Sequence, residues 1–171
     1  MAEISSLLGE PVPMEIERKF LIEYPDLEWL ENQQSCRKVE ISQTYLLSDE
    51  DEEVRVRQRG YGGSYIYYET RKRSINGMKR LELERRISAD EYRMRLKDAD
   101  PALKPINKDR YCLMWDNQYF EIDIFPFWND MALVEIELSD ENEEVRFPDG
   151  LKIIREVTDD PAYKNRALAA R

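Results

Sequence analysis

From Met14 onward, hydrophobic and polar positions alternate with a period of two, the pattern of strands whose two faces meet different surroundings. In the stretch 15–22, Glu15, Glu17 and Lys19 share one face while Ile16, Phe20 and Ile22 share the other. The same alternation predicts strands over 40–47, 53–59, 64–73, 79–87, 106–115, 118–125 and 132–138. Gly60, Gly62 and Gly63 mark a hairpin loop, and Asn76-Gly77 a turn. Helical signals are fewer. Asp26, after Pro25, caps a short helix running to about Cys36. Ser88-Ala89-Asp90-Glu91 has the form of a capping box and opens a helix to about Lys97. Asp160 before Pro161 opens a terminal helix through Ala169. Residues 1–13, punctuated by Pro11 and Pro13, read as a flexible leader, and 14–171 as a single domain. The fold class is α+β, dominated by antiparallel strands.

Charge sharpens this picture. The 171 residues carry 26 Lys and Arg beside 36 Asp and Glu, a net charge of −10. That balance argues against nucleic acid and anionic membranes as partners, since both need a positive field. There is no long apolar run and no basic leader, so the chain reads as soluble and cytoplasmic. There are no histidines, which excludes imidazole chemistry and leaves acid–base work to carboxylates, Lys, Tyr or metal-activated water. Cys36 and Cys112 are isolated and read as reduced structural thiols.

The charges are sorted by strand. Arg55 with Arg57 and Lys108 with Arg110 form basic strands; Glu82 with Glu84, Glu121 with Asp123 and Glu135 with Glu137 form acidic ones. Each strand alone is better explained as half of an ordinary sheet with its charged face in water. Together, strands that keep one sign apiece fit a closed sheet with charges facing inward. Charges so crowded need compensation. Mg²⁺ or Mn²⁺ would neutralise the acids and a polyphosphate the bases, which predicts a metal–polyphosphate ligand. The run Asp49–Glu53 either repels large anionic substrates or is solvated surface, the second being the simpler reading.

Several of these strands resemble the motifs of the CYTH superfamily, the triphosphate tunnel metalloenzymes. Glu15-Ile16-Glu17-Arg18-Lys19 resembles its E-x-E-x-K signature. Gln43-Thr44-Tyr45-Leu46, Val54-Arg55-Val56-Arg57, Thr70-Arg71-Lys72, Glu82-Leu83-Glu84, Lys108-Asp109-Arg110-Tyr111, Asp123 with Phe125, and Glu135-Ile136-Glu137-Leu138 follow in the family's order. Glu156-Val157-Thr158 with Tyr163, Asn165 and Leu168 resembles its closing segment, although the tryptophan often found before it is missing.

The resemblance implies an eight-stranded antiparallel β-barrel, a tunnel with a charged lumen, flanking helices and a C-terminal plug helix. It implies that Lys19, Arg55, Arg57, Lys72, Lys108 and Arg110 hold the substrate, with Tyr45 either contacting the substrate or a bound water or serving in packing. Glu15, Glu17, Glu82, Glu84, Asp123, Glu135 and Glu137 become candidate ligands for Mg²⁺ or Mn²⁺, Glu82 and Glu84 alternatively orienting the basic residues, and Glu15, Glu17, Lys19, Glu135 and Glu137 the catalytic set. The implied reaction is metal-dependent hydrolysis of tripolyphosphate or a nucleoside triphosphate, by water attack on a terminal phosphorus. The same fold also serves a class IV adenylate cyclase or a thiamine triphosphatase. A non-catalytic polyphosphate-binding module is the reading outside enzymes. Family members are often homodimers.

Overall fold

The computed structural model describes residues 14–75 and 79–171, leaving aside the side chains of Met14, Glu15 and Lys79. The leader 1–13, the Asn76-Gly77 turn and the Glu15 side chain therefore lie outside the described residues. Strands β1 (Met14–Glu23), β2 (Cys36–Tyr45), β3 (Glu53–Tyr61), β4 (Ser64–Ser74), β5 (Lys79–Ile87), β6 (Ile106–Trp115), β7 (Gln118–Ile124), β8 (Met131–Glu137) and β9 (Ile153–Glu156) form one antiparallel sheet. Its order is β5-β4-β3-β2-β6-β7-β8-β1-β9. One edge of β1 pairs with β8 over Glu17–Glu23; the other meets β5 at Met14–Ile16 and then β9 at Phe20–Ile22.

The alternation placed eight of these strands, and tight turns join them where glycine or a short polar residue accepts a left-handed backbone. Gly62 (φ 60°) and Gly63 (φ 88°) turn β3 into β4; Asp116 (φ 49°) and Asn117 (φ 60°) turn β6 into β7. Three expectations need correction. Helix α1 spans only Leu27–Glu31, although Asp26 caps it as expected, accepting from the Glu28 and Trp29 amides at 3.0 and 3.2 Å. Past Glu31 comes a polar run, and Cys36 is already paired with Leu113 in the β2–β6 ladder. The terminal helix is broken: Pro161–Tyr163 make one 3₁₀ turn, Lys164 is extended (ψ 142°), and α3 covers only Asn165–Ala169. Strand β9 had no sequence signal, because all four of its residues are exposed and carry no alternation. Helix α2 (Ala89–Arg95) forms as predicted, with Ser88 accepting from the Glu91 amide, and runs on into a 3₁₀ turn over Leu96–Asp98. No described helix is long and apolar enough to cross a membrane.

The apolar faces of the strands are covered from outside the charged face. Phe20, Ile22, Leu113, Phe120, Ile122, Val134 and Ile136 pack under α1 and the 145–151 segment. Val54, Val56 and Ile87 pack under Tyr92 of α2. A third cluster forms on the charged face itself. At one end of the strands its residues turn apolar, namely Leu21, Tyr45, Ile106, Phe125 and Leu133, and these are covered by Val157, Leu168 and Ala169 of the C-terminal segment.

Candidate active site

Because side chains alternate across a strand, the residues two apart noted above project together. They line one cavity of about 670 Å³. Its wall takes Glu17 and Lys19 from β1, Arg55 and Arg57 from β3, Lys72 from β4, Glu82 and Glu84 from β5, Arg110 from β6, and Glu135 and Glu137 from β8, with Tyr45 at the end of β2. Strand register sets which charges meet. Lys19 stands opposite Glu135, with Nζ 3.3 Å from the carboxylate. Lys72 stands opposite Glu82 at 3.5 Å. Arg57 Nη2 reaches Glu84 Oε1 at 2.7 Å, and the same oxygen accepts from the Thr70 hydroxyl.

Other neighbours share a sign. Glu17 lies directly opposite Glu137 on β1–β8, and Glu121 opposite Glu135 on β7–β8. Such pairs repel. Burial, with Glu135 and Asp123 as further acids beside it, pushes the Glu121 carboxyl up, with Arg110 opposing. Burial would also push Glu135 up, but Lys19, Arg110, Lys108 and Lys72 surround it and hold it well below the usual carboxylate range.

The basic side is only partly satisfied. Arg55 and Arg57 are buried, at 6% and 7% exposure, and the Nε of each has no hydrogen-bond partner among the described residues. Burial, then the neighbouring Arg55 and Arg110, lower the pKa of Arg57, with Glu84 opposing. Two buried guanidinium N–H groups without an acceptor leave this wall short of hydrogen-bond partners. Tyr45, wholly buried, packs beside Arg55, with the Arg166 guanidinium 5.7 Å over its ring.

Two expected residues stand off the cavity wall. Lys108 Nζ lies 2.6 Å from Asp123 Oδ2, while Arg110 Nε and Nη2 donate to Asp123 at 2.7 and 2.9 Å. Both Asp123 oxygens are thus engaged, an arrangement that suits a counter-ion for the two bases better than a metal ligand. Burial drives the Lys108 pKa down to about 8, against the pull of Asp123. Arg110, a like charge, lowers it further, while Asp123, against its own burial, is held below its ordinary value by Arg110 and Lys108.

Sequence reasoning gave several wall residues no role. Arg59 and Glu121 line the cavity on faces the alternation had marked as charged, and Arg80, not singled out, continues the alternation of Glu82 and Glu84 on β5. Lys164, Asn165 and Arg166 also line it. They come from the broken terminal segment, whose Tyr163 carbonyl accepts from Lys19 Nζ at 3.2 Å, and no periodicity marks them.

With this geometry in view, comparison with known proteins is informative. A family model described as the CYTH domain matches residues 13–161. An inorganic triphosphatase from Nitrosomonas europaea is 35% identical over 159 residues, covering 91% of this chain and 96% of that protein. A crystal structure of an inorganic triphosphatase superposes with a TM-score of 0.58 at 30% identity, over 92% of this chain and 95% of the other. The structure of a Hippeastrum protein, described as a putative adenylyl cyclase with a dominant triphosphatase activity, superposes with a TM-score of 0.53 over 74% of this chain and 80% of its own, but at 12% identity it is evidence for the fold alone.

Proposed function

The chain belongs to the CYTH domain family, and we propose that it is a metal-dependent triphosphatase that hydrolyses a short polyphosphate such as inorganic tripolyphosphate. The observation that carries the reading is one cavity whose wall holds both buried cationic side chains, Lys19, Arg55, Arg57 and Arg110, and directly opposed carboxylates, Glu17 with Glu137 and Glu121 with Glu135. Phosphate oxygens complement the first and a divalent cation relieves the second. We also propose that the sheet closes into an eight-stranded tunnel around this cavity. The pairing of β1 with both β5 and β8 supports that, as does the apolar end covered by the C-terminal segment.

The residues present fit a divalent cation of the Mg²⁺ or Mn²⁺ kind, which prefers carboxylate, phosphate and water oxygens. Among the described residues no group of three or more metal-binding side chains is gathered into a complete site. Glu17, Glu135 and Glu137 are the acids we assign to hold it, with Glu82 and Glu84 keeping Lys72 and Arg57 in place. When bound, such a cation supplies charge neutralisation and acidifies water for attack.

The chain's own residues do the rest. Arg55, Arg57, Lys72 and Arg110 bind the phosphate chain and meet the charge that develops as the terminal bond breaks. Asp123 fixes Arg110 and Lys108 in one orientation. Lys19, held between Glu135 and the Tyr163 carbonyl, presents an ammonium to the terminal phosphate. The test is phosphate release from tripolyphosphate, ATP, GTP and thiamine triphosphate in Mg²⁺ or Mn²⁺, with and without EDTA. Release from tripolyphosphate that stops in EDTA is expected. Full activity in EDTA, or cyclic AMP as the product from ATP, would overturn the reading.

A further inference from the structure

Between β2 and β3 the chain makes a short loop with five consecutive acids, Asp49 to Glu53. The loop is anchored at both ends. The Leu46 amide donates to the Val54 carbonyl at 2.9 Å and the Leu47 amide to Asp98 at 3.0 Å, while Ser48 Oγ donates to the Glu52 carbonyl at 2.8 Å. Glu52 is paired with Arg71 at 3.3 Å. The side chains of Asp49, Glu50 and Asp51 are exposed and have no ion-pair partner among the described residues. All of Ser48–Glu53 nevertheless line the same cavity as the basic wall.

A second, independent observation lies on the same stretch of chain. Arg55 and Arg57, both buried and lining the same cavity, follow at once on β3. Arg55 is two residues beyond Glu53, about 7 Å along the strand. Within one turn and one strand, the wall therefore passes from unpaired carboxylates to buried guanidiniums, of which Arg57 is paired with Glu84. An anion gripped by Arg55 and Arg57 ends where the repelling field begins.

Resting on the triphosphatase reading, we propose that Asp49, Glu50 and Asp51 form a charge filter that limits the site to short polyphosphates: any further phosphate extending past the arginine grip meets three free carboxylates. The loop discriminates by charge and not by bulk. A neutral nucleoside on the chain end is little affected, whereas a fourth or fifth phosphate is rejected. Because the three acids are exposed, the effect is screened by salt.

The experiment compares the wild-type protein with the triple variant D49N/E50Q/D51N. Dissociation constants for tripolyphosphate and for linear tetrapolyphosphate are measured by calorimetry in EDTA, so that no turnover consumes the probe. The filter predicts that the variant gains about tenfold more affinity for tetrapolyphosphate than for tripolyphosphate. In the wild type, raising NaCl from 0.05 to ~0.5 M shifts the tetra-to-tripolyphosphate ratio the same way; in the variant it does not. ATP, measured alongside, changes no more than tripolyphosphate. Equal gains for both polyphosphates, or an unchanged ratio, would overturn the filter and leave the hydrolase reading standing. Because binding is read without turnover, absence of hydrolysis in the wild type would instead overturn the hydrolase reading alone.

Discussion

Glu135 concentrates the physical argument at the scale of a single residue. It is nearly buried, pairs with Lys19, faces Glu121 across the sheet and is kept ionised by surrounding cations. Its carboxylate is thus ready to take a divalent cation without first losing a proton. Glu135→Gln keeps shape and volume and removes the charge. It is expected to lower kcat on tripolyphosphate by about 10²-fold or more, with Glu17→Gln doing the same, while circular dichroism shows an unchanged fold. Retention of activity within a few-fold would remove these acids from the mechanism. Arg55 supports a complementary prediction. Arg55→Lys preserves the positive charge but loses the planar fork. KM for tripolyphosphate should rise about tenfold, ~1.4 kcal/mol, with a smaller change in kcat. A KM unchanged from wild type would mean that the guanidinium meets no substrate oxygen.

Among the elements, α2 and the C-terminal segment are held by different forces. Glu69 of β4, buried on the outer side of the sheet, accepts hydrogen bonds from Arg71, Arg85 and Arg95, the last from the end of α2. Burial works to raise its pKa, but the hydrogen bonds and charges of Arg95 and Arg85 outweigh that and lower it. A carboxyl lowered in the folded state stabilises above its ordinary unfolded pKa, and the contribution fades as pH falls through the folded value. Glu69→Gln should therefore cost about 2 kcal/mol near neutral pH, and the gap to wild type in urea denaturation should close below about pH 4. A gap independent of pH would mean that packing, not charge, holds α2. The C-terminal segment is held instead by Leu168 and Ala169 against the apolar end of the charged face. Leu168→Ala should cost about 3 kcal/mol, lowering Tm by roughly 6–12 °C.

The same elements show what the chain's sequence made legible. Strand parity is a property of the backbone, so the faces of Arg55 with Arg57 and of Glu135 with Glu137 could be read directly, and their convergence on one cavity follows. Which charges meet depends on register between strands, which no local pattern encodes. Hence the capture of Asp123 by Lys108 and Arg110 was not visible. Helix starts were legible through the caps Asp26 and Ser88, but α1 had no stop signal until β6 claimed Cys36. Lys164 and Arg166 reach the cavity only because the terminal segment breaks at Lys164, a tertiary outcome.

For the whole molecule, the arrangement turns the usual distribution of polarity inside out. Apolar strand faces look outward to α1, α2 and the 145–151 segment, and the charged faces look toward a cavity. Acids and bases there compensate one another only in part. Glu17 and Glu137 stay opposed although Arg80 lies 3.6 Å from Glu17, and the Nε groups of Arg55 and Arg57 have no acceptor among the described residues. The two defects differ in sign, so relieving one with its own counter-ion leaves the other standing, and a metal–polyphosphate complex relieves both. Stability should therefore respond to the pair more than to the sum of its parts. With Mg²⁺ and a non-hydrolysable tripolyphosphate analogue present together, their complex at about 100 times its own Kd, binding adds about 2.7 kcal/mol, and Tm should rise by roughly 5–10 °C. Mg²⁺ alone and the analogue alone, at those same concentrations, should together account for less than that. Differential scanning calorimetry reads all three directly, and Arg55→Ala should abolish most of the joint shift. If the two separate shifts add up to the joint one, cation and polyanion bind independently, and the coupling through a shared charged cavity is wrong.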